Sequence, residues 1–198
     1  MRLLVLLALF GVLGYLLSLG SRPIPRPPGV LAPTPPVQEA IPQGERAPLE
    51  KPPYRLEPVA RFRLEARVLG KRVYRTDRAA DLAPVDLALG WGRMSDTRVL
   101  ERLRLWQDYR FYFYAWTGEP PIPPEEMAQS SANMHLIPAD AAVARGLRRV
   151  RRGHLVRFEG LLVNVYGPQG FHWPTSTVRH DTGAGACEIV WVERLEVR

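Results

Sequence analysis

Twelve of the twenty prolines fall between Arg22 and Pro58, in runs such as PIPRPPG, APTPP and EKPP. Each proline fixes φ and removes a backbone donor, so helices and central strands are hard to build from such a stretch. The segment is expected to be a tether of polyproline character, reaching at most about 110 Å at about 3.1 Å per residue. A ligand role for its PxxP-like runs is the minor alternative. The chain then divides into residues 1–21, an anchor or signal segment; residues 22–58, a proline-rich linker; and residues 59–198, a globular domain.

Arg2 is followed by 18 residues without a charge, Leu3 to Gly20. That is the lower limit for crossing a hydrocarbon core of roughly 30 Å. Ser18 and Gly20 would be the small residues of a cleavage site after Gly20. The run is long for a signal peptide, and Arg22 and Arg26 follow it closely. A retained single-pass anchor in the cytoplasmic membrane, with the main domain outside, is therefore expected; release into the periplasm after cleavage near Gly20 is the alternative. Cys187 is the only cysteine, which rules out an intramolecular disulfide and a lipidated cysteine beside the apolar run. The net charge of +7 predicts attraction to phospholipid head groups, cell-wall polymers or nucleic acid.

Within 59–198 the patterning is mainly that of strands. ARFRLEARV alternates, with Phe62, Leu64, Ala66 and Val68 on one face and charges on the other. YRFYFYAW alternates with large residues on both faces. HLVRFEGLLVNVYGPQGFHW reads as a strand, a turn at Gly167–Gly170 and a return strand. Its apolar parity flips at Gly160, which predicts a bulge and bend there. CEIVWVERLEV closes the chain as a buried strand. Asp96 can cap a helix over TRVLERLRL, Pro123 and Pro124 can open another, and Asp140 can cap AAVARGLRRV. The expected fold class is α+β: a small, strongly curved antiparallel sheet with two or three short helices and an OB-like barrel as its specific form.

Two polar clusters could carry chemistry. In SSANMH, Ser131 and His135 would share a face only on a helix. Asn133 and Pro138 favour a turn instead, so a junction tying two helices together is expected. TSTVRHDTGAGACE offers His180, Asp181, Cys187 and Glu188. A thiolate at Cys187 would need a cation such as His135 or His180 beside it, whereas its place at the start of an apolar strand suits a buried structural cysteine. DTGAGA does not match a phosphate-binding glycine pattern, and the four histidines have no metal-ligand spacing, so neither cofactor nor metal is expected. Arg145, Arg148, Arg149, Arg151 and Arg152 form the firmest candidate binding cluster. They complement a helix C-terminus and could also dock on anionic head groups. Trp106, Tyr109, Tyr112, Tyr114 and Trp116 are expected to be mainly core and sheet packing.

The segments PVDLALGWGRMSD, SANMHLIPA and DTGAGACE resemble those of a widespread group of small bacterial proteins with one N-terminal hydrophobic segment. The resemblance covers most of 59–198 and implies an envelope location, with no activity to carry over. The leading expectation is a membrane-anchored, non-catalytic envelope domain that binds an envelope component or partner protein. The alternative is a hydrolase or transferase using His135 with Ser131 or Cys187. A nucleic-acid-binding module is the least favoured third reading.

Overall fold

The computed structural model describes residues 22–178 and 186–198. The fold is α+β and mostly sheet, with a curved sheet and few helices. Its strands are β1 (Val37–Ala40), β2 (Leu49–Lys51), β3 (Tyr54–Val73), β4 (Val85–Gly90), β5 (Arg104–Asp108), β6 (Phe111–Ala115), β7 (Ser131–Pro138), β8 (Leu155–Gly167), β9 (Phe171–Trp173) and β10 (Glu188–Val197). The helices are α1 (Thr97–Leu100), α2 (Pro124–Gln129) and α3 (Ala141–Arg149). Among the described residues, no helix is long and apolar enough to cross a membrane; residues 1–21, where an anchor is expected, lie outside them.

β3 carries the architecture. At 20 residues it is far longer than a usual strand of about 5–6, and it bends to serve two partners. Arg55–Arg67 pairs with β8, and Arg67–Val73 pairs with β4. The remaining pairs are β4 with β7, β7 with β10 in parallel, and β10 with β8. The alternation seen in ARFRLEARV is realised: Phe62, Leu64, Ala66 and Val68 are buried in the main core with Leu87, Leu136, Phe158 and Val190. Helix α3 closes this core with Val143 and Leu147, after the Asp140 carboxylate accepts from Val143 N at 2.8 Å.

The bend expected at Gly160 has a different origin. The irregularities sit opposite β8, between Val192 and Arg194 of β10 and between Pro58 and Ala60 of β3. Gly160 itself is where the Trp191 carbonyl closes onto β8, in space that a Cβ would occupy.

The proline-rich segment is laid along the domain, unlike the free tether expected from its composition. Ala32 is fully buried, β1 pairs with Ala60–Arg63, and β2 pairs with Tyr54–Leu56. Other donors of the segment are bonded to the domain: Ile24 N reaches Arg152 O, and Leu31 N and Ala32 N reach Ser95 Oγ. Proline restricts the unfolded chain as well as the folded one, so pinning such a segment costs little entropy and needs few bonds. The helix expected over TRVLERLRL stops at Leu100, and from Arg104 the chain becomes the first arm of the β5–β6 hairpin. Tyr112, Tyr114 and Trp116 pack against a third apolar cluster as expected, whereas Trp106 and Tyr109 are exposed.

Candidate functional site

β4 reads VDLALG and is buried along its whole length, so Asp86 is a carboxylate with no exposure in an apolar strand. Such a group persists only with partners. Arg110 Nη1 lies 3.0 Å from Oδ1, and Asn133 Nδ2 donates to Oδ2 at 3.3 Å. His135 Nδ1 lies 3.0 Å from Oδ2, off the direction a ring N–H needs, so it makes a close polar contact without a hydrogen bond. Register explains the meeting: Asp86 faces His135 and Ala88 faces Asn133 across the β4–β7 pair.

Arg110 comes from the opposite side, on the tip of the β5–β6 hairpin. Tyr109 and Arg110 both adopt left-handed backbone, at φ 49° and 64°. A two-residue turn of this kind favours Asn-Gly, and other residues there cost on the order of 1 kcal/mol or more each. The contacts of Arg110 offset that cost. Nε and Nη2 donate to Asp77 at 3.0 and 2.8 Å, and Nη1 also reaches Ala83 O. The guanidinium sits 4.0 Å from the Tyr74 ring centroid, and Arg110 N donates to the Tyr74 hydroxyl.

A cavity of about 600 Å³ opens over this network. Tyr74, Phe111, Phe171 and Trp173 supply its rings, and Asp77, Arg110 and His135 supply polar groups. The His135 ring is 4.6 Å from that of Trp173, so the imidazole is packed on one side and coupled to Asp86 on the other.

Burial pushes the Asp77 carboxyl up, but the hydrogen bond and charge of Arg110 outweigh it and hold the group below its ordinary value. A depressed folded value contributes stability above the ordinary value of 3.8, and that stability is lost as pH falls through the folded value. Acid titration of unfolding should therefore show a steeper loss below about pH 4 in the natural chain than in Asp77→Asn.

SSANMH is a strand, β7, where a turn between helices was expected. The alternation Ser131, Asn133, His135 against Ala132, Met134, Leu136 carries a period of two, but both faces are buried, so no solvent side marked it as a strand. Ser131 donates to Met127 O at the end of α2, a junction-like bond. Four residues of extended chain separate it from His135, about 13 Å, so these two do not form a nucleophile and base. Cys187, in contrast, lines the same cavity as His135, with its Sγ 3.9 Å from Arg110 O. Glu188 is buried at the start of β10, and His180 and Asp181 lie outside the described residues. Arg145, Arg148 and Arg149 lie on the last two turns of α3, with Arg151 and Arg152 just beyond, away from this cleft.

Asp86, Arg110, Asp77 and Trp173 were not singled out from the sequence. For Asp86 a signal existed: one carboxylate inside VDLALG must be either exposed on an edge or held by buried partners. Arg110 carried none, because its role depends on a hairpin that brings distant residues together.

His135→Ala should lower stability by about 1–3 kcal/mol through lost packing on Trp173 and loss of the close polar contact with Asp86. Thermal melts of the full chain check this, and an unchanged melting temperature would favour a catalytic histidine held at a cost to the fold. Among the described residues no group of three or more His, Cys, Asp or Glu side chains could hold a metal ion. Comparison with protein families, with curated proteins and with solved structures gives no match.

Proposed function

We propose that this chain is a membrane-anchored domain of the bacterial envelope that binds a stretch of envelope glycan in the cleft above Asp86, Arg110 and His135, without turning it over. One observation carries the proposal: where the cleft sits. The circuit β3–β4–β7–β10–β8–β3, with β7 and β10 parallel and α3 between β7 and β8, supports an OB-like barrel as its finer description. Such barrels take oligonucleotides and oligosaccharides on the face of their second and third strands, between two particular loops. The matching positions here are β4 and β7, the chain from Tyr74 to Pro84, and β9 with Cys187; each contributes to the cleft or its floor.

That placement is an analogy at the level of fold, and the chemistry of the site narrows it. Sugar rings offer apolar faces to aromatic walls and hydroxyls to acceptors such as Asp77 and Asp108, both of which line the cleft. Arg78 and Arg110 line it as well, so its charges balance two against two and offer a phosphodiester chain no net attraction. The resemblance to envelope proteins and the apolar run at residues 3–20 support the location.

The test is calorimetric titration of the full chain in neutral detergent with a β-1,4-linked N-acetylglucosamine tetramer. Saturable binding with little salt dependence is expected, weakened at least about tenfold by Trp173→Ala. If a single-stranded oligonucleotide binds instead, with affinity falling steeply as salt rises, the glycan reading gives way to nucleic acid.

A hydrolase or transferase is the second reading. It is favoured by the 3.0 Å Asp86–His135 contact and by Cys187 on the wall that His135 lines, an acid–base–thiol order. Iodoacetamide alkylation of Cys187 separates the two. A binding site predicts a rate that climbs toward the ordinary thiol range near pH 8.5, and an activated thiolate predicts a plateau already near neutrality.

A further inference from the structure

We infer that the basic corner after α3 is a docking surface for anionic phospholipid head groups, which holds the domain close against the membrane. Arg148, Arg151 and Arg152 line a groove of about 580 Å³ together with Lys71, Arg72 and Trp106. Among the described residues, no acidic one lines it. Elsewhere the pattern differs: Arg61 pairs with Glu45 and Arg63 with Glu39 on the exposed face of β3. Lys71 serves the architecture. Its Nζ donates to the carbonyls of Leu147, Arg148 and Val150 at 2.9, 2.8 and 3.0 Å, which fixes the end of α3 and the backbone of the cluster. Arg148 and Arg152 are exposed, and Trp106 is 42% exposed at the groove, an amphipathic ring suited to a head-group layer. The local field is positive: burial first, then the charges of Arg151, Arg26 and Lys71, hold the His154 imidazole below its ordinary value.

Chain continuity names the occupant. Ile24 N donates to Arg152 O at 2.8 Å, and Arg26 Nε donates to Gly153 O at 2.8 Å. Gly153 has φ 92° and no side chain, which leaves room for the Ile24 carbonyl. The segment that follows the apolar run is thus fastened to the arginine corner itself. From Gly20 to Ile24 the chain spans at most about 14 Å. If residues 1–20 are retained in a bilayer, as the preceding proposal also holds, the arginines lie at its surface. Each basic residue near an anionic surface strengthens attachment about fivefold. A bilayer supplies the anionic phosphates in the place the fold has put the cations.

The test uses the full chain reconstituted into vesicles of phosphatidylcholine alone or of phosphatidylcholine and phosphatidylglycerol in equal parts. Arginine modification by phenylglyoxal is followed by mass spectrometry. Arg148 and Arg152 should react at least about fivefold more slowly in the mixed vesicles, with the difference removed by high salt. Arg61 and Arg63 should react alike in both. Equal rates at Arg148 and Arg152 in the two vesicles would overturn the inference. A chain that floats with neither vesicle has no retained anchor, which also overturns it but leaves glycan binding to be judged by its own titration.

Discussion

Asp86→Ala should destabilise the domain by about 3–5 kcal/mol, read as a shift of the urea midpoint without a change in slope. The loss combines three effects. Arg110 Nη1 and Asn133 Nδ2 each lose an acceptor in a buried site. His135 loses the polar neighbour 3.0 Å from its Nδ1. The left-handed Tyr109–Arg110 turn loses part of what offsets its backbone cost. Asp86→Asn keeps the shape and an oxygen acceptor for Arg110 Nη1, and should cost less. A change within about 0.5 kcal/mol for Asp86→Ala, as for an ordinary surface site, would mean that the network does not hold the hairpin to the sheet.

Gly160→Ala is expected to be comparably damaging, about 3–5 kcal/mol, placing it among the rare large single-residue effects. The Trp191 carbonyl already occupies the space of an added Cβ, and Glu193 N is 3.2 Å from its position. Both neighbours are backbone and cannot rotate away as a side chain would. β8 is also paired on its other edge, with Phe62 opposite Gly160, so it cannot retreat without breaking the β3 ladder. Gly44→Ala is the control: nothing lies within 4 Å of its Cβ position, and it should shift stability by no more than about 0.5 kcal/mol. If the two variants melt together, the close approach of β8 and β10 is not a constraint on the fold.

What the sequence made legible was local. Asp140 capping α3 and the alternation around Phe62 rest on spacings of a few residues, and both appear in the structure. The strand in SSANMH was concealed because it is buried on both faces, so its polar residues look like a loop when Asn133 in fact holds Asp86 and His135 lines a cleft. The proline-rich segment was misjudged for the opposite reason. Composition showed that it could not form a core, but not that Ser95 and the carbonyls of Ala32 and Arg152 would let it be fastened along one. The site needed long-range pairing. Asp86, Arg110 and His135 come from three segments, and the β4–β7 register and the hairpin tip bring Arg110 and His135 each to 3.0 Å from Asp86.

Glycan binding in the cleft can be read at the chain's single thiol, because Cys187 lines it. The rate of Cys187 alkylation in the full chain is followed with and without the N-acetylglucosamine tetramer. A saccharide seated against Trp173 and His135 would bury most of its surface in the cleft and shield the sulfur. The rate should fall at least about tenfold at saturation, with protection lost in Trp173→Ala. An alkylation rate unchanged at every tetramer concentration would contradict glycan binding in the cleft.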